Sequence, residues 1–145
     1  DIPRPGYAYY EQDLESRTFG VVVDTSGSMS AKQIGMALGS IASYAAAKDV
    51  PFVRIIFCDA KATDAGYLAP EDIAGRVKVT GGTILQPGVD CLEQANDFPK
   101  DGPILIITDG EIENDLKVRR EHAFLLPRGN RLPFRARGEV FYFRE

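Results

Sequence analysis

Tryptophan is absent from this sequence, histidine occurs once and cysteine only twice. Two cysteines build no disulfide framework. Cys58 ends an apolar run and Cys91 sits in a helix-like stretch, so both read as small buried hydrophobes in a reducing, cytoplasmic setting. The single histidine, His122, excludes a histidine-ligated zinc site and leaves a Ser-His-Asp triad only if that one residue serves. Its position ahead of an apolar run makes it a structural residue at a strand start. No apolar run approaches the roughly 18 residues of a membrane span. The opening DIPRPGYAYYEQ has neither the basic start nor the apolar core of a signal peptide. It also lacks an initial methionine, which reads as a processed chain or a domain of a longer protein. Positive charge is in short supply too: the net charge of −4 argues against a nucleic-acid surface.

What the chain has is an ordinary soluble composition, 44% hydrophobic and 26% charged over 145 residues, enough for one domain with a real core. Its charge is uneven, net acidic to residue 110 and net basic after it. The arginines of that tail (Arg119, Arg120, Arg128, Arg131, Arg135 and Arg137) read first as a solvated surface and second as a docking patch for an acidic partner. Apolar periodicity alternates along the chain. TFGVVVD (18–24), PFVRIIFCD (51–59) and GPILIITDGE (102–111) are continuous runs suited to strands covered on both faces. HAFLLP (122–127) and EVFYFRE (139–145) read as two final strands joined by RGNRLPFRARG. Residues 31–48 read as a helix with Ile34, Leu38, Ile41 and Ala45 on one face. Ser30 and Gln33 form a capping box at its start, and Gly35 and Gly39 are placed to let it approach a sheet closely. KATDAGYL holds a short edge strand, APEDIAGRV a short helix started by Pro70, and TGGTILQPGVDCLEQAND a glycine-rich loop running into a second long helix. Alternating strands and helices imply an α/β, three-layer, doubly wound, Rossmann-like fold, mostly parallel with an antiparallel edge strand.

In such sheets function gathers at the carboxyl ends of the strands. Two apolar runs end there in an acid, Asp24 and Asp109, and a buried carboxylate is costly unless something compensates it. Ser26 and Ser28 follow Asp24, with Gly27 permitting a tight turn, and Thr83 lies in a loop made permissive by Gly81 and Gly82. Every donor in this set is a hydroxyl or carboxylate oxygen. Hard oxygen donors select Mg²⁺, Mn²⁺ or Ca²⁺ over zinc or copper.

DTSGS before a helix, then GGT, then ITDGE resembles the von Willebrand factor A (VWA) domain with its metal-ion-dependent adhesion site. The resemblance spans residues 19 to about 143, with the three motifs in the family's order. It implies a lead-in over 1–18 and a VWA domain over 19–145. By that resemblance Asp24, Ser26, Ser28, Thr83 and Asp109 form the metal site. The serines would ligate directly, Thr83 would do so in the ligand-ready state, and the aspartates would act directly or through water. The resemblance further implies a non-enzymatic, metal-dependent interaction module whose ion takes a Glu or Asp from a protein partner, with no nucleic acid or membrane involved. The closing HAFLLPRGNRLPFRARGEVFYF is similar to a bacterial VWA-like group. There the domain commonly follows a metallopeptidase-like segment and is encoded near a MoxR-type AAA+ ATPase, which becomes the expected partner. Many VWA domains finish on a helix, whereas this chain ends on a strand, so part of one sheet face should be left uncovered.

Plainer readings stand beside these. Ser28 and Ser30 can be simple helix caps, and Asp109 a turn residue before Gly110. Glu111 and Glu113 read as solvated acids at a helix start, and Asp59 has only its strand-end position to recommend it. Tyr7, Tyr9 and Tyr10 suit packing on a neighbouring domain and on this domain's own surface equally well. The rival function is a metal-dependent hydrolase, phosphatase or peptidase, using the same oxygens with Glu111 as general base. Ser26 stands where an aspartyl phosphatase needs its second acid and where an aspartic protease needs glycine. A nucleophile elbow would want glycines flanking the serine, and Thr25 or Ser26 stands in that place.

Overall fold

The computed structural model describes residues 18–76 and 84–144. The lead-in assigned to 1–18 therefore lies outside the described residues except for Thr18. That residue is buried, and its hydroxyl donates to the Phe52 carbonyl at 2.8 Å. Six strands form one sheet: β1 (Gly20–Asp24), β2 (Val53–Cys58), β3 (Ala62–Leu68), β4 (Ile104–Ile107), β5 (His122–Pro127) and β6 (Glu139–Phe143). Their spatial order is β3-β2-β1-β4-β5-β6. All neighbours run parallel except β3, the expected antiparallel edge strand. The strands at the centre are apolar on both faces because both faces are covered, and β1 and β2 are buried throughout.

Helix α1 (Ala31–Ala47) begins with the expected capping box: Ser30 Oγ accepts from Gln33 N, and Gln33 Oε1 accepts from Ser30 N, both at 3.0 Å. It packs Ile34, Ala37, Leu38, Ile41 and Ala45 against one face of the sheet, together with Ile73 of the short helix α2 (Pro70–Ile73). Gly39 does not serve the close approach expected of it, since a Cβ there would meet nothing within 4 Å. The close approach belongs to the other face, where α3 (Gln86–Gln94) crosses the sheet. A Cβ on Gly88 would meet Val22 Cγ1 at 2.8 Å and Cys58 Cβ at 3.1 Å. α3 spans nine residues, with Pro87 in its first turn, and is shorter than the long helix expected after the glycine-rich loop.

The parallel connections β4–β5 and β5–β6 carry no helix, contrary to the reading of Glu111 and Glu113 as helix-start acids. Ile112, Leu116 and Val118 fall at spacings of four and two, which draw no continuous helical stripe, and the chain packs them irregularly on the α3 face. The second connection does the same with Leu132, Phe134 and Ala136, which alternate with exposed Arg131, Pro133, Arg135 and Arg137. Both connections thus close the α3 face. On the other face Ile107, Leu125 and Phe143 join the core cluster of α1, and no second long helix among the described residues packs beyond it. Both cysteines are free, Cys58 buried and Cys91 half-buried, and burial pushes both thiols up from their ordinary range. No helix among the described residues is long and apolar enough to cross a membrane.

Candidate metal centre

The strand order reverses direction between β1 and β4, because the chain runs from β1 outward through β2 and β3, then from β4 outward through β5 and β6. Crevices at such switch points lie outside the carboxyl ends of the strands. Asp24 ends β1, and Thr108 and Asp109 follow β4 directly, so the two acids face one crevice.

Asp24 is fully buried. Its Oδ1 accepts from Ser26 N at 2.8 Å, an Asx-type turn that folds DTS back on itself. Its Oδ2 accepts from Thr108 Oγ1 at 2.7 Å across 84 residues of sequence. Thr108 also accepts from Gly110 N at 3.1 Å, which ties the turn after β4 to the acid after β1. Burial raises the Asp24 carboxyl above its ordinary 3.8; bonds from Ser26 and Thr108 pull it down, and the nearby Asp109 pushes it the same way as burial. Asp109 is buried as well, with Oδ1 accepting from Glu111 N at 3.0 Å.

Ser26 and Ser28 hold their hydroxyl oxygens 3.0 Å apart, Ser26 buried and Ser28 exposed. Met29 fixes this loop from below, since its side chain is fully buried in the α1-side core. Gly27 has neither a positive φ nor a close neighbour for a Cβ, so the turn does not depend on glycine there. Gly110 does: its φ is +92°, and a Cβ would overlap the Arg131 carbonyl. The segment around Arg131 thus lies directly on the Asp109–Gly110 turn, and Asn130 Nδ2 fastens it by donating to the Asp109 carbonyl at 2.9 Å.

Of the five expected ligands, Asp24, Ser26, Ser28 and Asp109 come to this rim. Thr83, Gly81 and Gly82 lie outside the described residues. Among the described residues no three His, Cys, Asp or Glu side chains gather as a metal site, so what the rim offers is two acids and hydroxyls. This donor set fits a hard cation. Adjacent vertices of an octahedron with metal–oxygen distances of about 2.1 Å are about 3.0 Å apart, the separation of the two serine oxygens. No buried side-chain N or O among the described residues lacks a hydrogen bond. A carboxylate oxygen that accepts one bond nevertheless keeps capacity for a second.

Sequence reading passed over Thr108 and Asn130, and it gave Glu113 the wrong role. Glu113 is no helix-start acid: its carboxylate accepts from Leu85 N at 2.9 Å and from Gln86 N at 2.9 Å, and so caps α3 from another segment. The signal that could have found it is an uncapped helix start, because Leu85 offers α3 no side-chain acceptor. Asp59 accepts from Lys61 N at 3.3 Å within the β2–β3 turn. His122 sits at the start of β5, the end of the sheet opposite Asp24, with its ring edge-on to Phe124 and Nδ1 2.8 Å from the Arg120 carbonyl.

No protein-family model matches the chain. No curated protein matches it either. Among solved structures, the crystal structure of the ArnB paralog VWA2 from Sulfolobus acidocaldarius aligns at 16% identity and a TM-score of 0.49. The alignment covers 77% of this chain and 35% of that one, so this chain matches well under half of the other's length.

Proposed function

We propose that this chain is a metal-dependent protein-recognition module of the VWA type. A divalent cation, Mg²⁺ first and Mn²⁺ or Ca²⁺ as alternatives, would be held by Ser26 and Ser28 with Asp24 and Asp109, and by Thr83 in the ligand-ready state. The observation that carries the proposal is the 3.0 Å spacing of two hydroxyl oxygens beside a buried carboxylate at the switch point of the sheet. When bound, the cation would supply an electrophilic centre for an acidic side chain. The chain's own residues do the rest. Thr108 and the Ser26 amide orient Asp24, Met29 anchors the serine loop, and Asn130 holds the Asp109 turn. Arg131, exposed on the segment laid over that turn, puts positive charge beside the rim and favours an acidic partner.

Recognition fits this arrangement better than catalysis. Glu113 is spent on capping α3 and the single histidine lies at the far end of the sheet, which leaves the rival hydrolase reading with Glu111, exposed beside the Asp109 turn, as its general base. The partner proposed from the sequence resemblance is a MoxR-type AAA+ ATPase or a component of the same complex, in a bacterial cytoplasm. Calorimetric titration with Mg²⁺ tests the site. Saturable binding is expected in the wild type and none in Ser26→Ala/Ser28→Ala, with an unchanged circular dichroism spectrum. An affinity unaltered by the double substitution refutes the site. Pull-down from native lysate in Mg²⁺ or EDTA tests the recognition: a partner retained equally in both shows that binding does not use the metal.

A further inference from the structure

The β5–β6 connection carries a row of cations across the α3 face of the sheet, and close contacts fix both ends of the row. At Arg131 the chain lies on the Asp109–Gly110 turn, where a Cβ on Gly110 would overlap the Arg131 carbonyl. At Gly138 it lies on the start of β5, where a Cβ would overlap the His122 carbonyl. The segment thus runs back along β5 from the oxygen rim to the other end of the sheet. With six residues, β5 measures about 20 Å. Side chains alternate along the segment. Leu132, Phe134 and Ala136 pack into the α3-side core, whereas Arg131, Arg135 and Arg137 are exposed, as is Arg128 just before them. Arginines with an internal task have partners: Arg54 pairs with Asp64 and Asp97, and Arg120 donates to the Pro99 and Gly102 carbonyls. Among the described residues, none of the guanidinium groups in the row forms an ion pair or a side-chain hydrogen bond.

We propose that this row binds an extended acidic segment of the protein partner, about six residues long, continuous with the carboxylate that reaches the rim. The inference rests on the metal-dependent reading above and extends it: the rim takes one acid, and Arg131, Arg135 and Arg137 take those that follow it. Three observations select this occupant. The row begins at the rim itself, because Arg131 lies on the turn that carries Asp109. Its cations are of one kind, since after Lys117 the chain uses arginine and no lysine, and the guanidinium fork pairs bidentately with a carboxylate. An extended segment places every second side chain on one side, about 7 Å apart, so acids at alternate positions would face a row that itself alternates. Nucleic acid is the poorer match. The aromatic ring of the segment, Phe134, packs edge-on against Phe124 at 5.7 Å inside the core, instead of standing free for a base to stack on it. The chain's net charge of −4 also repels a polyanion outside this one row.

Fluorescence anisotropy of a labelled octapeptide of alternating Glu and Ser tests the row on the full 145-residue chain in Mg²⁺. The variant is Arg135→Glu/Arg137→Glu, because both side chains are exposed and lie beyond Arg131 from the rim. Affinity for the peptide should fall by about tenfold or more, since two attractions become repulsions. Calorimetric Mg²⁺ affinity and the circular dichroism spectrum should stay as in the wild type. Equal peptide affinity in the two chains, or no saturable binding to the wild type, overturns the proposal. An oligothymidylate of the same charge that binds the wild type more tightly than the peptide also overturns it, in favour of nucleic acid. The row and the metal site fail separately. Binding that needs Mg²⁺ but ignores the arginines refutes the row and keeps the metal. Binding that needs the arginines but ignores Mg²⁺ keeps the row and refutes the metal's part in recognition.

Discussion

Thr108 shows how much one hydroxyl can carry. It donates to the buried Asp24 carboxylate and accepts from Gly110 N, and so links the two strand ends that make the rim. A hydrogen bond to a charged group contributes about 1.5–3 kcal/mol, and leaving its partner buried without it adds to the cost. Thr108→Val keeps the shape and removes the hydroxyl. Urea denaturation should show stability lower by about 2–3 kcal/mol, with the slope unchanged, and Thr108→Ser should recover most of it. A loss within the error of the extrapolation shows that the bridge is incidental. Asp24 and Asp109 were legible in the sequence as acids closing apolar runs. Thr108 was not, because a threonine ending a strand is ordinary until its partner, 84 residues away, is known.

The β2–β3 pair illustrates the element scale. Arg54 is 6% exposed inside an otherwise apolar strand. Asp64 of β3 receives its guanidinium through Nε at 2.9 Å and through a second nitrogen, Asp97 takes Nη1 at 2.8 Å, and Tyr67 lies beneath it with 5.0 Å from Cζ to the ring centre. The guanidinium holds the Asp64 carboxyl below its ordinary 3.8 and is itself held further above its usual range. A depressed acid in the folded state contributes stability that is complete above 3.8 and is lost as pH falls through the lower folded value. Asp64→Asn should therefore lower the melting temperature at pH 7, and the gap to wild type should close as pH drops below 3.8. A gap independent of pH contradicts this fastening of the edge strand. An arginine amid VRIIF signals a buried partner in the sequence, but not which one. By contrast the α1 capping box was readable outright, because its two bonds join residues three apart. The cap of α3 was not, because Glu113 comes from another segment.

At the scale of the whole molecule, two surface features lie at opposite ends of one sheet: a rim of oxygens beyond the strand ends, and an apolar groove along the strand starts. A ligand that binds only the folded chain stabilises it by about 2.7 kcal/mol at one hundred times its dissociation constant. Saturating Mg²⁺ should thus raise the melting temperature of the wild type and EDTA reverse the rise, while Ser26→Ala/Ser28→Ala should melt at the same temperature in both. A rise preserved in the double variant places the stabilising ion elsewhere. Local features came from the sequence alone: the alternation of strands and helices, the antiparallel edge, the capped α1 and the acids closing β1 and the run of β4. Their causes are periodicity, turn chemistry and bonds between near neighbours in the chain. Folding in three dimensions settled the strand order and, with it, the crevice between Asp24 and Asp109. It also settled that the last two connections pack as irregular chain on the α3 face, leaving a groove on the other. Those outcomes depend on which surfaces remain to be buried once distant segments have paired, and no short stretch of sequence holds that information.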